Sequence, residues 1–179
     1  MCQYAKLISM MKEWIPIPGT SKDTLIKVAL SEFSLKGYKG VNISELAEKA
    51  NMTTGAIYHH FGSKSNLYEV IRNEMEQRLI DRMEGAASLF NEVEEALKAA
   101  LLTGIDFAVK QDICKLIGEE SPAEKKDKIE QFLASLNSNK ELPIEIIALS
   151  SWRSILLRIS EEQITPEQGK RLVHWIFNS

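Results

Sequence analysis

Residues 42–64 read Asn-Ile-Ser-Glu-Leu-Ala-Glu-Lys-Ala-Asn-Met-Thr-Thr-Gly-Ala-Ile-Tyr-His-His-Phe-Gly-Ser-Lys, and this short stretch holds three helix starts. Asn42 with Glu45 pairs an N-cap with a capping-box acid, and Leu46, Ala47 and Ala50 follow at helical spacing. Asn51 tolerates the left-handed backbone that closes a short helix. Thr53 is the next N-cap, and Ile57 and Phe61, four apart, give that helix one buried edge. Ser63 caps a third helix. Two short helices joined by a tight turn form the helix-turn-helix pattern.

The second of these helices exposes Thr53, Thr54, Tyr58, His59 and His60, and Lys64 follows just past its end. Gly55 and Ala56 sit in its first turn, where small side chains let a backbone approach a partner closely. Hydroxyls, a phenol, imidazoles and an amine beside a helix N-terminus suit contact with phosphates and base edges. A solvated polar face with a hydroxyl cap accounts for the same residues, and local chemistry does not separate the two readings.

A longer pattern does. Leu25-Ile26-x-Val28-Ala29-Leu30-x-x-Phe33-x-x-Lys36-Gly37-Tyr38, then Ile43-x-x-Leu46-Ala47, then Thr53-Thr54-Gly55-Ala56-Ile57-Tyr58-His59-His60-Phe61-x-Ser63-Lys64-x-x-Leu67, resembles the DNA-binding domain of the TetR family. The resemblance implies an all-α homodimeric transcriptional regulator, usually a repressor released from a palindromic operator by a small ligand. It further implies that Asn42, Thr53, Tyr58, His60 and Lys64 hold DNA phosphates and that Ser21 also belongs to the DNA-binding set. By the same analogy Thr54, Gly55, Ala56 and His59 lie nearest the base edges. Glu32 stands where the family usually carries an apolar residue and Leu35 where a polar one is common, an apparent exchange of positions on the first helix.

Length and composition set the frame. At 179 residues the chain buries a real core, and its apolar and charged fractions are ordinary for a soluble protein. Cys2 and Cys114 stand far apart, which argues against a disulfide scaffold and fits a reducing cytoplasm. No run reaches the roughly 18 apolar residues of a membrane span. Lys6, Lys12 and Glu13 interrupt any candidate signal-peptide core. The formal charge is −3, unevenly spread: residues 1–64 carry eight Lys and Arg against five Asp and Glu, and residues 65–179 carry 14 against 20. A mildly basic head before an acidic body keeps attraction to DNA local.

The expected organisation is an N-terminal tail over 1–19, a three-helix helix-turn-helix domain over 20–66, and an α-helical ligand-binding and dimerisation domain over 67–179. The fourth helix starts within the head, at Lys64. The tail, with Met10-Met11 and Ile15-Pro16-Ile17-Pro18-Gly19, fits either an arm reaching DNA or a segment without a role. Thr20 or Ser21 caps the first helix, Leu25, Val28, Ala29 and Phe33 form its buried stripe, and Gly37 ends it with Tyr38 packing back. The fourth helix runs to about Met83, with Leu67, Ile71, Met75 and Leu79 in step, an exposed Glu74–Arg78 pair, and a break at Gly85. Leu89 to Ile117 reads as helical almost throughout, with Phe90, Val93, Leu97, Leu101, Ile105 and Ala108 on one side and a break between Gly104 and Gly118. Ser121-Pro122-Ala123-Glu124 signals another start, for a helix ending at Asn137-Ser138-Asn139.

Two helices close the chain, over 143–160 and from a Thr165-Pro166-Glu167-Gln168 cap to about 178. The first of them has apolar residues on more than one face, enough for a core and a partner, so 143–160 and 165–178 are expected to form a two-fold four-helix interface. Excess core is the alternative. The body is expected to hold a mostly apolar effector pocket lined by Phe107, Cys114, Phe132 and Trp152, with Arg153 as a polar anchor. His59 and His60 have no third ligand beside them and His174 stands alone, so neither a metal site, a cofactor nor an enzyme is expected.

Overall fold

A computed structural model describes residues 19–122, 127–137 and 141–177. Helix α1 (Ser21–Gly40) begins where Thr20 Oγ1 accepts the Asp23 amide at 3.2 Å, so Thr20 and not Ser21 is the cap. Leu25, Ala29 and Phe33 are buried along it. Gly37, at φ +70°, kinks its end, and Tyr38 turns back to meet the Tyr68 ring edge-on at 5.1 Å. Helix α2 (Ile43–Lys49) and helix α3 (Thr54–Phe61) follow, then α4 (Lys64–Ala87). Asn42 Oδ1 caps α2 by accepting the Ser44 and Glu45 amides, and Ser63 Oγ caps α4 by accepting the Asn66 amide. Glu45 leaves the expected capping box and pairs with Lys36 of α1 at 3.1 Å.

The body consists of α5 (Val93–Lys110), α6 (Cys114–Gly118), α7 (Lys128–Leu136), α8 (Ile144–Ser160) and α9 (Pro166–Phe177). Helix α5 folds back along α4, α6 packs on α8, and α9 packs on α5, where Lys170 reaches Asp106 at 3.1 Å. Thr165 and Gln168 exchange side-chain-to-backbone hydrogen bonds at 3.2 and 2.8 Å, the reciprocal cap expected at the start of α9. Trp152 is fully buried; its indole N–H donates to the Leu101 carbonyl at 2.9 Å, and its ring occupies the space over Gly104. Buried apolar residues form one cluster that runs from Leu25 in α1 to Val173 in α9. No strand occurs among the described residues.

Three expectations need correction. Helix α4 does not break at Gly85 but continues to Ala87. A helical glycine costs only about 1 kcal/mol, and buried Met83 and Ala87 pin the turns on either side. The 89–117 stretch is not one helix: residues 88–92 connect α4 to α5, and Leu89 and Phe90 are exposed. Its break falls within the expected interval, at Gln111–Ile113, where Asp112 adopts φ +54°. The helix signalled by Ser121 is described only from Lys128, capped by Asp127, whose Oδ1 accepts the Ile129 and Glu130 amides. Ser121 donates its hydroxyl to Glu69 at 2.5 Å. Ala123, Glu124, Ser138 and Asn139 lie outside the described residues, as does the tail through Pro18.

The body is joined to α4 by Arg72, which is 1% exposed. Its Nε donates to Glu76 Oε1 at 2.8 Å, and its Nη1 donates to the Leu116 and Glu119 carbonyls at 2.7 and 2.6 Å. The last carbonyls of α6 have no helical partner, and the guanidinium supplies one. Removing one member of a buried pair leaves an uncompensated charge, typically at a cost of about 3–5 kcal/mol. Arg72→Met is therefore expected to lower unfolding free energy in urea by about that much, with partial recovery on adding Glu76→Gln. A loss below about 1 kcal/mol, the scale of an exposed pair, would contradict the role given to Arg72.

Candidate nucleic-acid interface

The head is assembled so that α3 has one side to spare. Ile57 and Phe61 are buried, and the helix packs against α2 and α4. The turn before it closes through Asn51, at φ +52°, and the Met52 amide, which donates to the Ala47 carbonyl at 2.8 Å. Thr53 Oγ1 then accepts the Ala56 amide at 3.1 Å and starts α3. What remains on the outer side is Thr53, Gly55, Tyr58, His59 and His60, all exposed, with Thr54 and Ala56 half-exposed. The imidazoles of His59 and His60 stand edge to face at 5.5 Å.

Gly55 is informative because the fold does not require it. Its φ is not in the left-handed range, and a Cβ there would meet only Thr53 Oγ1, at 3.8 Å. The space at this position is open to solvent. Lys64, at the first position of α4, is half-buried with its ammonium 4.7 Å from the centre of the Tyr38 ring. Burial pushes its pKa down from the ordinary lysine value. Asn42 is exposed at the cap of α2, and Ser21 is exposed in the first turn of α1. The ten residues singled out for DNA contact thus fall on α1, the α2 cap, α3 with its cap, and the start of α4.

The departure at Glu32 has a local explanation. Glu32 is 7% exposed, and its carboxylate is ion-paired with Lys49 of α2 and with Lys36, the latter at 3.0 Å. The hydrogen bond from Lys49, then that from Lys36, holds its pKa below the usual carboxylate value. Leu35 is 71% exposed. The two residues have therefore not traded burial: a paired charge fills the inner position and the apolar side chain stays outside.

In the body, Phe107 is buried with the Arg82 guanidinium 4.6 Å from its ring centre. Cys114 opens α6, buried, and burial pushes its thiol up to about 11. Phe132 is half-buried on α7. Trp152 faces α5 through Leu101 and Gly104, whereas Arg153 is ion-paired with Asp127, the cap of α7. None of the five lines the cavity of about 360 Å³ at the α8–α9 turn, which is bounded by Ile159, Ile164, Thr165 and Pro166. Among the described residues no cluster of three His, Cys, Asp or Glu is placed to hold a metal, and no helix is long and apolar enough to cross a membrane. The sequence reading passed over Arg72, Glu76, Glu119 and Asp127. Arg72 and Glu76 do carry a signal, an i,i+4 pair one position past the buried Ile71 and Met75.

The arrangement is a helix-turn-helix head on an all-helical body. Residues 25–71 match the family model described as bacterial regulatory proteins, tetR family. Over 124 residues it is 23% identical to the HTH-type transcriptional repressor KstR2 of Mycolicibacterium smegmatis, a match covering 69% of this chain and 60% of that repressor. A TetR-like transcriptional regulator from Rhodococcus sp. RHA1 shares the fold with a TM-score of 0.67 and 18% identity, over 90% of this chain and 96% of that one. AibR, solved in complex with isovaleryl coenzyme A and operator DNA, does so with a TM-score of 0.64 and 18% identity, over 88% and 98%.

The openness around Gly55 separates folding from binding. Gly55→Ala is expected to leave thermal stability unchanged or raise it by up to about 1 kcal/mol, the helix-propensity gain, while weakening DNA binding. Unchanged DNA affinity in a stable Gly55→Ala protein would remove α3 from the interface.

Proposed function

We propose that this chain is a sequence-specific DNA-binding transcriptional regulator, acting as a repressor that a small-molecule effector releases from a palindromic operator. The observation that carries the reading is the outer face of α3, a set of polar side chains and an open glycine that the core does not use. In this reading Asn42, Thr53, Tyr58, His60 and Lys64 hold phosphates, Thr54, Gly55, Ala56 and His59 approach base edges, and Ser21 also contacts DNA. Residues 20–66 are the DNA-reading head and 67–179 the effector and dimerisation body. A protein that reads DNA in this way works in the cytoplasm.

The homodimer is proposed on α8 and α9. Ile146, Ile147, Leu172 and Trp175 are exposed there, Trp175 at 73%, although both helices already bury another side in the core. Paired with their copies they form an isologous four-helix interface. Two heads then address half-sites about one DNA turn apart, roughly 34–36 Å, or a multiple of that. The effector is proposed to bind within the body near Phe107, Cys114, Phe132 and Trp152, with Arg153 as its polar anchor. Nη2 of Arg153 is ion-paired with Asp127, while its buried Nε has no hydrogen-bond partner, which supports a polar ligand group beside Nε. Release requires that the ligand bind the two dimer conformations unequally.

The direct test is titration of the protein against the DNA upstream of its own gene, with unrelated competitor and varied salt. Competitor-resistant binding is expected, and equal affinity for every duplex would contradict sequence-specific regulation. Lys64→Ala is expected to weaken binding to all duplexes alike and to lower the salt slope by about one. A changed sequence preference with the wild-type slope would refute the phosphate contact. For the interface, Ile147→Asp should shift the protein from dimer to monomer in sedimentation equilibrium; a dimer of unaltered affinity would place the interface elsewhere.

A further inference from the structure

One body side chain grips the backbone of the head. Glu119 follows α6, and its Oε2 accepts the Tyr38 amide N–H at 3.0 Å. Its Oε1 lies 2.1 Å from where a Cβ on Gly37 would stand, so the carboxylate occupies the space that this glycine leaves open. The main chain of Glu119 is itself fixed, because its carbonyl accepts Arg72 Nη1 of α4 at 2.6 Å. Glu119 is therefore held by α4 and holds the kink of α1.

The amide it holds belongs to the residue beneath Lys64. The Tyr38 ring lies 4.7 Å from the Lys64 ammonium and stands against the Tyr68 ring at 5.1 Å, which in turn meets Phe33 at 5.0 Å. An ammonium over a phenol ring is attracted by the ring quadrupole and loses rotational freedom. A lysine restrained in this way gives up less entropy when it reaches a phosphate. The path from body to DNA-contacting group is thus short: α6, Glu119, the Gly37–Tyr38 kink, and the ring that carries Lys64.

We propose that Glu119 is a positioning residue for DNA binding: it fixes the Tyr38 ring that aims Lys64, so the placement of α6 sets the strength of a phosphate contact made by the head. This rests on the reading of Lys64 as a phosphate contact. The effect runs opposite to simple electrostatics. A carboxylate near DNA repels phosphate, so its removal alone would tighten binding; removal of a positioning group weakens it.

The test uses a labelled random-sequence duplex, since a phosphate contact does not depend on sequence. Affinities are measured for the full chain and for Glu119→Ala, Glu119→Gln, Tyr38→Leu and Lys64→Ala, with thermal unfolding to verify folding. Glu119→Ala and Tyr38→Leu are each expected to weaken binding about threefold to tenfold, the range of a partly exposed cation–π contact. Glu119→Gln keeps an acceptor oxygen for the Tyr38 amide and is expected to bind at least as well as the natural protein. In the Lys64→Ala background Glu119→Ala should have no further effect, because residues acting through one group are not additive. If Lys64→Ala weakens binding but Glu119→Ala costs the same with and without Lys64, the positioning role is overturned while the phosphate contact stands. Tighter binding by Glu119→Ala overturns it as well. If Lys64→Ala leaves affinity and salt slope unchanged, the phosphate contact fails and takes the positioning role with it.

Discussion

Arg72 lies in the interior of a helical protein, where a guanidinium is tolerated only if nearly every donor finds an acceptor. Glu76 neutralises its charge, and the remaining donors meet carbonyls that would otherwise be orphaned at the end of α6. Helix α6 has five residues, too few to be stable by itself. It is held in place because its C-terminal carbonyls are anchored to α4 and its Gly118 packs tightly against Leu157 of α8. The same anchor positions the Glu119 main chain, and thereby the carboxylate that reaches the α1 kink. Without Arg72 the contacts among α1, α4, α6 and α8 would lose their common fixed point.

The head solves a different problem. Helices α2 and α3 are seven and eight residues long, below the length at which helices persist alone. Side-chain caps at Thr20, Asn42, Thr53 and Ser63 satisfy orphan amides at the start of each head helix and of α4. The Glu32, Lys36, Lys49 and Glu45 ion pairs then tie α1 to α2. Local capping combined with two buried residues on α3 makes the fold independent of α3's outer face. That independence leaves the face free for the recognition proposed above.

The head was legible in the sequence because its determinants are local. Caps, the left-handed Asn51, the kink at Gly37 and the buried edge of α3 all lie within a few residues of the groups they act on. Long-range features left weaker traces. Nothing near Glu119 in the sequence points to Tyr38, 81 positions away, and Arg72 reads as a surface residue until α6 is folded against it. Element ends went wrong where a turn signal competed with packing. Gly85 reads as a stop, but Met83 and Ala87 are buried and carry α4 through it. Conversely, apolar Leu89 and Phe90 look like helix interior but lie in the connection between α4 and α5. The outer face of α3, which we propose reads DNA, was singled out from residue types and from family resemblance together. The proposed effector site has no such local grammar, since its candidate residues come from helices distant in sequence.

The central claim is that two copies of α3 read DNA from a two-fold dimer. Hydroxyl-radical footprinting of the protein on DNA upstream of its own gene tests this most directly. The account predicts two protected stretches related by a dyad, on one side of the duplex, with centres about one helical turn or a whole multiple of it apart. A single unpaired footprint, or uniform weak protection along the fragment, would contradict it.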